Sequence, residues 1–499
     1  MLLRTLLADI GEHAIRGNPV VDVRGLAYHS AQVRPGFLFA AIRGYTHDGH
    51  VFLPQAAGQG AVAVLVERPG EVQGVTQVIV ADTRAALARV ACAFHGHPSR
   101  QMTVVGVTGT NGKGVTSYFA DAVLTQAGHR PAVIGTMGVR GPGGTVLTDR
   151  TTPEAVDLQG LLADLRDAGV SHVAMEVASH ALALHRVDGT RFRVAVFTNL
   201  TPDHLDFHGT LEAYLGAKRR LFEIVEPDGW SVINADDLAA AAMAQASRAP
   251  IIRYALTPGG RDRSARPDLW AEDVHLRLDG TSFRAATPEG AVPVELHIGG
   301  AFNVANALAA LGTGLALKIP LEVGAAGLAT VHGVPGRFEP VREGQDFAVI
   351  VDYAHTPDGL ENVLRTARQI TSGRVIAVFG CGGDRDRTKR PVMGRLAVTL
   401  ADLAIVTSDN PRTEDPQAII DQILQGIRAT GARRARFEVE PDRRAAIHRA
   451  IAAAAAGDVV VIAGKGHEPY QEIHGVRHPF DDRTVAREVL RERLGSAAR

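Results

Sequence analysis

Only two cysteines, Cys92 and Cys381, occur in 499 residues. That is too few for a disulfide framework or a cysteine-rich metal site. No charge of one sign dominates, since 53 Lys and Arg face 54 Asp and Glu for a formal net charge of -1. The basic excess of a general polyanion binder is therefore missing, and nucleic acid is not an expected partner. No apolar run reaches the roughly 18–20 residues that cross a bilayer, and the most tempting stretch, Ala450 to Ala463, is broken by Asp458. A signal-peptide cleavage pattern is also lacking near Met1–Ile10, which carries Asp9. These absences predict a soluble, cytoplasmic protein without a membrane span. Core material is plentiful, at 45% hydrophobic and 21% charged residues, which excludes wholesale disorder.

At roughly 150 residues per domain the length predicts about three domains. Residues 1–100 read as a small N-terminal α/β domain, with strand-like runs at 36–42 and 61–66 and an Ala-rich helix at 83–94. The polar, proline-containing segment 95–101 reads as a linker. Residues 101–334 form short apolar strands (102–107, 172–177, 193–199, 231–234, 251–254) separated by helical stretches, the pattern of a doubly wound, mostly parallel sheet. Between 268 and 298 alternation around the turn Asp279-Gly280 predicts an antiparallel excursion. Past Val334-Pro-Gly-Arg337, β-branched strands at 347–351, 375–379, 403–407, 436–440 and 459–463 predict a C-terminal, Rossmann-like α/β domain over 335–499. The fold class is α/β throughout.

The clearest chemical signal is a phosphate loop. Gly106-Val-Thr-Gly-Thr-Asn-Gly-Lys-Gly-Val-Thr116 follows a strand and opens a helix. In that context glycines let backbone N–H groups approach phosphate oxygens, and the helix N-terminus favours an anion. Gly109, Thr110, Asn111, Gly112, Gly114 and Val115 are the expected cradle, with Lys113 as a point charge for the outer phosphates. One residue departs from the pattern. Ser or Thr normally follows the lysine to ligate magnesium, whereas Gly114 and Val115 follow here and the next hydroxyl is that of Thr116. Thr116 or Thr110 is expected to substitute, unless the metal relies on other ligands, and Thr placed at 114 should be tolerated or mildly beneficial.

The wording Gly-Thr-Asn-Gly-Lys resembles the Mur ligase family, which also contains the folylpolyglutamate synthases. Further motifs match in order: Thr151-Thr-Pro153, Met175–His180 with Arg186, Asn199–Gly209, Ala217-Lys218, Phe302-Asn303 with Asn306, Gly336-Arg337, Asp352–Pro357, Gly380–Asp386, Asp409–Arg412 and Gly464–Glu468. They resemble the members that add the third residue of the cell-wall peptide. The resemblance implies ATP-dependent amide formation through an acyl phosphate, with Mg2+ and lysine around the triphosphate. It also implies small-molecule substrates, a UDP-N-acetylmuramoyl-dipeptide and a diamino acid, handled by a monomer.

Glu176, at a predicted strand end, suits a hard cation. The resemblance makes His204 the ligand of a second magnesium and Lys218 a lysine carboxylated by carbon dioxide, a reaction that needs the neutral amine favoured by burial. It further assigns Asn303 and Asn306, with Phe302, to the purine, and Arg337 and Asp352 to the phosphates and ribose. Ser30, Tyr45, Thr46 and His47 match uridine contacts, while Thr151, Thr152 and Arg186 match those of the muramoyl-peptide. Ala178 and Leu184 replace polar residues at two substrate-contacting positions. For the amino acid, meso-diaminopimelate is expected. Arg412 can fork onto its distal carboxylate with Asn410 as a further donor, Glu468 and the Gly464 carbonyl can accept from its distal ammonium, and Arg385 is a second cation, with Asp409 and Pro411 completing the motif. Lysine or ornithine in place of diaminopimelate, a folylpolyglutamate synthase (favoured by Gly114) and a non-catalytic nucleotide-binding scaffold are the competing readings. Glu176, His204 and Lys218 together argue against the last.

Overall fold

The computed structural model describes residues 1–44, 47–259, 266–431 and 435–497. The strands group into three main sheets. Near the N-terminus, Ala14–Arg16, Thr76–Ile79, Ala63–Val66, Phe37–Ala40 and Gly25–Ala27 pair in that order, only the first antiparallel to its neighbour. The helix Thr83–Phe94 packs behind them and is capped by Asp82, whose carboxylate accepts from the amides of Arg84 and Ala85.

The second sheet has eleven strands. Thr103–Thr108 lies inside it, with His172–Glu176 on one side and Phe192–Phe197 on the other, both parallel. These strands are Val/Ala-rich and buried on both faces, as parallel strands covered by helices must be. Ligands of doubly wound sheets gather at the C-terminal ends of such strands. Leu269–Arg277, Gly280–Thr287 and Gly290–Leu296 then turn back antiparallel, as the alternation around Asp279-Gly280 predicts. Pro131–Gly135, which the strand pattern did not reveal, pairs parallel with His172–Glu176. Its C-terminal end therefore faces Glu176.

In the third sheet, Glu339–Pro340, Ala348–Asp352, Val459–Ala463, Val375–Phe379, Leu403–Val406 and Arg436–Val439 run in that order, parallel except at the first pair. A hairpin of Tyr470–Ile473 and Val476–Pro479 lies outside it. It buttresses the loop after Leu403–Val406: Arg412 N donates to the Glu472 carbonyl at 3.0 Å and Glu472 N to Asn410 Oδ1 at 3.0 Å. One apolar cluster runs from Val107 and Val304 through Phe338 to Val461, tying the second and third sheets together. Among the described residues no helix is long and apolar enough to cross a membrane.

Candidate active site

Three cavities adjoin along the seam between the second and third sheets. The first, of about 290 Å³, lies between the loop after Thr103–Thr108 and the helices Ala301–Ala316 and Pro357–Gln369. Asn111, Val115, Phe302, Asn306, Arg337, Asp352, Tyr353 and Val363 face it. An apolar slot with amide edges suits a purine base. Asn303 does not reach it. It is fully buried, donates to the Gly299 carbonyl at 2.8 Å and accepts from Asn306 Nδ2 at 3.0 Å, so it sets the orientation of Asn306. Asp352 accepts from the amides of Phe338 and Ala354, both at 2.7 Å, which fixes the turn carrying Arg337. The Arg337 guanidinium lies 4.6 Å from the Tyr353 ring centroid, and its buried Nε has no partner.

The second cavity, about 150 Å³, continues from Asn111 and Gly112 past Lys113, Glu176, His204 and Lys218. Gly112 has φ +84, a conformation L side chains rarely adopt, and a Cβ there would overlap Asn306 Oδ1. Lys113 and Lys218 converge on one carbonyl, donating to Gly109 O at 3.0 and 2.7 Å. Lys218 is 1% exposed and sits 4.3 Å over the Tyr214 ring. Burial, reinforced by the charge of Lys113, holds its pKa well below the ordinary lysine value. Glu176 is 2% exposed, and its carboxylate accepts from Thr136 N at 2.8 Å and Thr136 Oγ1 at 3.3 Å. Burial lowers the pKa of His204 to about 4 and leaves a neutral imidazole, the form that ligates metals.

Thr116, expected as the hydroxyl ligand, points the wrong way. It is fully buried and donates to Asn306 Oδ1 at 3.4 Å. Thr110 is also committed, donating to the Thr201 carbonyl and accepting from Thr201 N, both at 3.0 Å. Thr151 faces this cavity and the next. Thr152 faces neither, because its hydroxyl bridges the Glu176 carbonyl (2.8 Å) and Ala178 N (3.0 Å).

The third cavity, about 270 Å³, shares Thr151, Asp203, His204, Tyr353 and His355 with the second and extends to Arg385, Asp409, Asn410, Arg412, Gly464 and Glu468. Gly382 and Gly383 come close enough to the 410–412 loop for Arg412 Nη1 to donate to the Gly383 carbonyl at 2.6 Å. Pro411 packs its carbonyl against Gly383. Asn410 was expected to donate to a substrate carboxylate. Instead its amide donates to Glu468 Oε2 at 2.7 Å, and its oxygen accepts from the fully buried Lys465 at 2.9 Å. Burial and the neighbouring Asp409 raise the pKa of Glu468.

Arg186 is buried and already paired, with Glu154 at 2.9 Å, while its Nε lacks a partner. Arg84 and Arg150 also lie 3.6 and 3.4 Å from Glu154. Three guanidiniums around one carboxylate leave a net cationic patch on the side of the second sheet facing the N-terminal sheet. Ser30 begins a 3-10 turn and His47 is exposed, whereas Tyr45 and Thr46 lie outside the described residues.

Sequence reasoning missed Thr136, Asp203, Tyr353, His355 and Lys389. Burial lowers the pKa of His355 to about 4, its Nδ1–H donates to the Tyr353 carbonyl at 2.7 Å, and Lys389 donates to the His355 carbonyl at 2.8 Å. Nε2 is left as an acceptor between the second and third cavities. Asp203 and His355 both fall inside motifs of the sequence; Thr136 falls in none.

A nucleoside slot, a cationic phosphate loop and an acid-and-base-lined third cavity, contributed by two sheets, define an ATP-dependent ligase of the P-loop class. Family models match at residues 22–95 (Mur ligase family, catalytic domain), 107–314 (Mur ligase middle domain) and 336–466 (Mur ligase, glutamate ligase domain). The chain is similar to a protein of Geobacter metallireducens named UDP-N-acetylmuramoyl-L-alanyl-D-glutamate--2,6-diaminopimelate ligase, 45% identical over 99% of both chains. It is also similar to a Syntrophomonas wolfei protein of the same name, 46% identical over 95% of this chain and 96% of that one. A solved structure of a ligase of that name superposes with a TM-score of 0.67 at 36% identity, covering 95% of each chain. The chain belongs to the Mur ligase family.

Proposed function

We propose that the chain joins meso-diaminopimelate to UDP-N-acetylmuramoyl-L-alanyl-D-glutamate with hydrolysis of ATP to ADP and phosphate. The observation that carries this is the order of the cavities. A nucleoside slot opens onto two lysines, and these open onto a pocket holding both acids and arginines. Residues 101–334 and 335–499 share the ATP and reaction sites, and residues 1–100 hold the UDP end through Ser30, Tyr45, Thr46 and His47.

The glutamyl carboxylate enters past Thr151, guided by the cationic patch around Arg186. Its oxygen attacks the γ-phosphorus, the bond to ADP breaks, and an acyl phosphate results. Lys113 and Arg337 offset the charge that builds on the phosphoryl oxygens. The amine of diaminopimelate then attacks the acyl carbon, and phosphate leaves with the former carboxylate oxygen. The proton lost by the amine passes to Nε2 of His355, whose Nδ1–H stays on the Tyr353 carbonyl. This imidazole is neutral before the reaction, and an adjacent phosphate anion favours its protonated form.

Glu176 and His204 fit magnesium. Among the described residues no group of three or more His, Cys, Asp or Glu forms a complete cage, and magnesium is usually held by one or two carboxylates with water and substrate phosphates. When bound, it neutralises phosphate charge and orients the transferred group. Lys218, once carboxylated by carbon dioxide, adds an anion beside it. At the far end Arg412 and Arg385 receive the distal carboxylate, and Glu468, aimed by Asn410, receives the distal ammonium. Folate ligation has no use for this double charge.

The test is phosphate release with the UDP-linked dipeptide and a panel of amino acids. Release with diaminopimelate, and little with lysine or ornithine, is the expected result. Release with folate and glutamate instead overturns the reading.

A further inference from the structure

Gly114 leaves the phosphate loop without the hydroxyl that ordinarily follows its lysine, and the other hydroxyls of the segment are spent. Thr110 lines the second cavity, but its hydroxyl is taken up by the Thr201 backbone and Tyr214 Oη; Thr116 turns to Asn306, and Ser117 Oγ is buried inside the domain. The carboxylate of Glu176 occupies the space that Gly114 leaves. A Cβ on Gly114 would lie 3.3 Å from Glu176 Oε1, and one on Gly135, across the carboxylate, would overlap the same oxygen. Two residues without side chains thus form a slot for Glu176. Thr136, directly after Gly135, reaches into the slot, and its Oγ1 lies 3.3 Å from Glu176 Oε2 and 3.0 Å from Thr151 Oγ1. All three oxygens belong to residues lining the cavity that also holds Lys113.

We propose that Thr136, seated between Glu176 and Thr151, supplies the hydroxyl ligand for magnesium that Gly114 lacks. Adjacent ligands of an octahedral magnesium, each about 2.0–2.1 Å from the ion, are about 3.0 Å apart. The spacings along Glu176 Oε2, Thr136 Oγ1 and Thr151 Oγ1 are 3.3 and 3.0 Å, which match that edge length. The ligand has moved from the loop to the end of the neighbouring strand, and Gly114 is what lets Glu176 lean over the loop to meet it. A threonine at 114 therefore crowds Glu176 rather than restoring a ligand, which reverses the expectation drawn from the loop alone. This inference rests on the ligase reading, because that reading places a nucleotide-bound magnesium here.

The test uses the full chain with a non-hydrolysable ATP analogue, Mn2+ as probe, and free Mn2+ measured by electron paramagnetic resonance. Thr136→Val is expected to weaken Mn2+ binding to the nucleotide complex at least tenfold, Thr136→Ser to stay within twofold of the parent, and Gly114→Thr to weaken it. Analogue binding in EDTA should be unchanged in the two Thr136 variants. Thr136→Cys should shift preference from Mn2+ toward Cd2+, since a thiolate selects the softer ion. A group that only orients Glu176 would produce no such shift. The proposal is overturned if Thr136→Val binds Mn2+ as the parent does, or if Thr110→Ala or Thr116→Ala causes the loss instead. Should Thr136→Val fail to fold, an unchanged Cd2+ to Mn2+ ratio in Thr136→Cys overturns it. Failure of the parent to bind the analogue in EDTA would count against the ligase reading and not against Thr136.

Discussion

Among the described residues Lys218 forms no ion pair; its amine donates to the Gly109 carbonyl, which Lys113 shares. Burial and the neighbouring Lys113 favour its neutral form, the form that adds carbon dioxide. Lys218→Ala is expected to lower kcat by on the order of 100-fold or more, the scale seen when one preorganised electrostatic group is removed. Short carboxylic acids should restore part of it. Turnover close to the parent's would remove the carbamate from the account. Arg412 is held by Gly383 through one nitrogen, leaving the rest of the fork for a substrate carboxylate. Arg412→Ala should cost about 1–3 kcal/mol in kcat/KM for diaminopimelate, or about 5- to 150-fold, and change residual lysine use far less. Equal losses for both amino acids would show that Arg412 does not read the distal carboxylate.

Elements place these residues, and here the sequence was legible unevenly. The loop at 109–116, the strand ends carrying Glu176 and Asp352 and the antiparallel excursion followed from local periodicity and glycine placement. Thr136 did not. It directly follows the short strand Pro131–Gly135, which begins on a proline, and it meets Glu176 only because that strand pairs beside His172–Glu176. Strand adjacency is non-local, so no local pattern could show it. The hairpin Tyr470–Ile473 and Val476–Pro479 is local, closed by His474 and Gly475 at positive φ, but its short strands bury neither face and show no apolar alternation, so it escaped although it fixes Asn410 and Arg412. Thr116 misled because it is the first hydroxyl after the lysine, but three residues on, its place on the helix turns it toward Asn306. The loop itself depends on Gly112 at φ +84. Gly112→Ala is expected to raise the KM for ATP at least tenfold, through left-handed strain and overlap with Asn306. An unchanged KM would mean that the loop can relax without loss of its phosphate contacts.

At the scale of the molecule, polar links join the second and third sheets beside the nucleoside slot. Asn111 Nδ2 donates to Asp358 Oδ2 at 2.7 Å across the seam, and Arg337 reaches from the third sheet into both nucleotide-facing cavities. Burial of polar groups in this architecture also sets its pH behaviour. His172, His355 and His467 have pKa values lowered to about 4 and His180 to about 3, burial being the main cause in each. An unfolded chain binds these protons near the ordinary pKa of about 6.5. The unfolded state therefore binds more protons between about pH 6.5 and 4, and stability falls as pH falls through that window. Asp121, Asp352, Asp358 and Glu468, whose pKa values burial raises, oppose this in part, because the folded state retains their protons longer. The melting temperature should drop by several degrees between pH 7 and pH 5. A constant or rising value would mean that the carboxyls outweigh the histidines.

The central claim is that the glutamyl carboxylate is phosphorylated and then displaced by an amine along one continuous cleft. It is tested most directly by following carboxylate oxygen. The UDP-linked dipeptide, labelled with 18O in its glutamyl side-chain carboxylate, is incubated with ATP and diaminopimelate, and the released phosphate is analysed by mass. The account predicts one 18O in each phosphate for every amide formed from fully labelled carboxylate. Amide formation with unlabelled phosphate would contradict it.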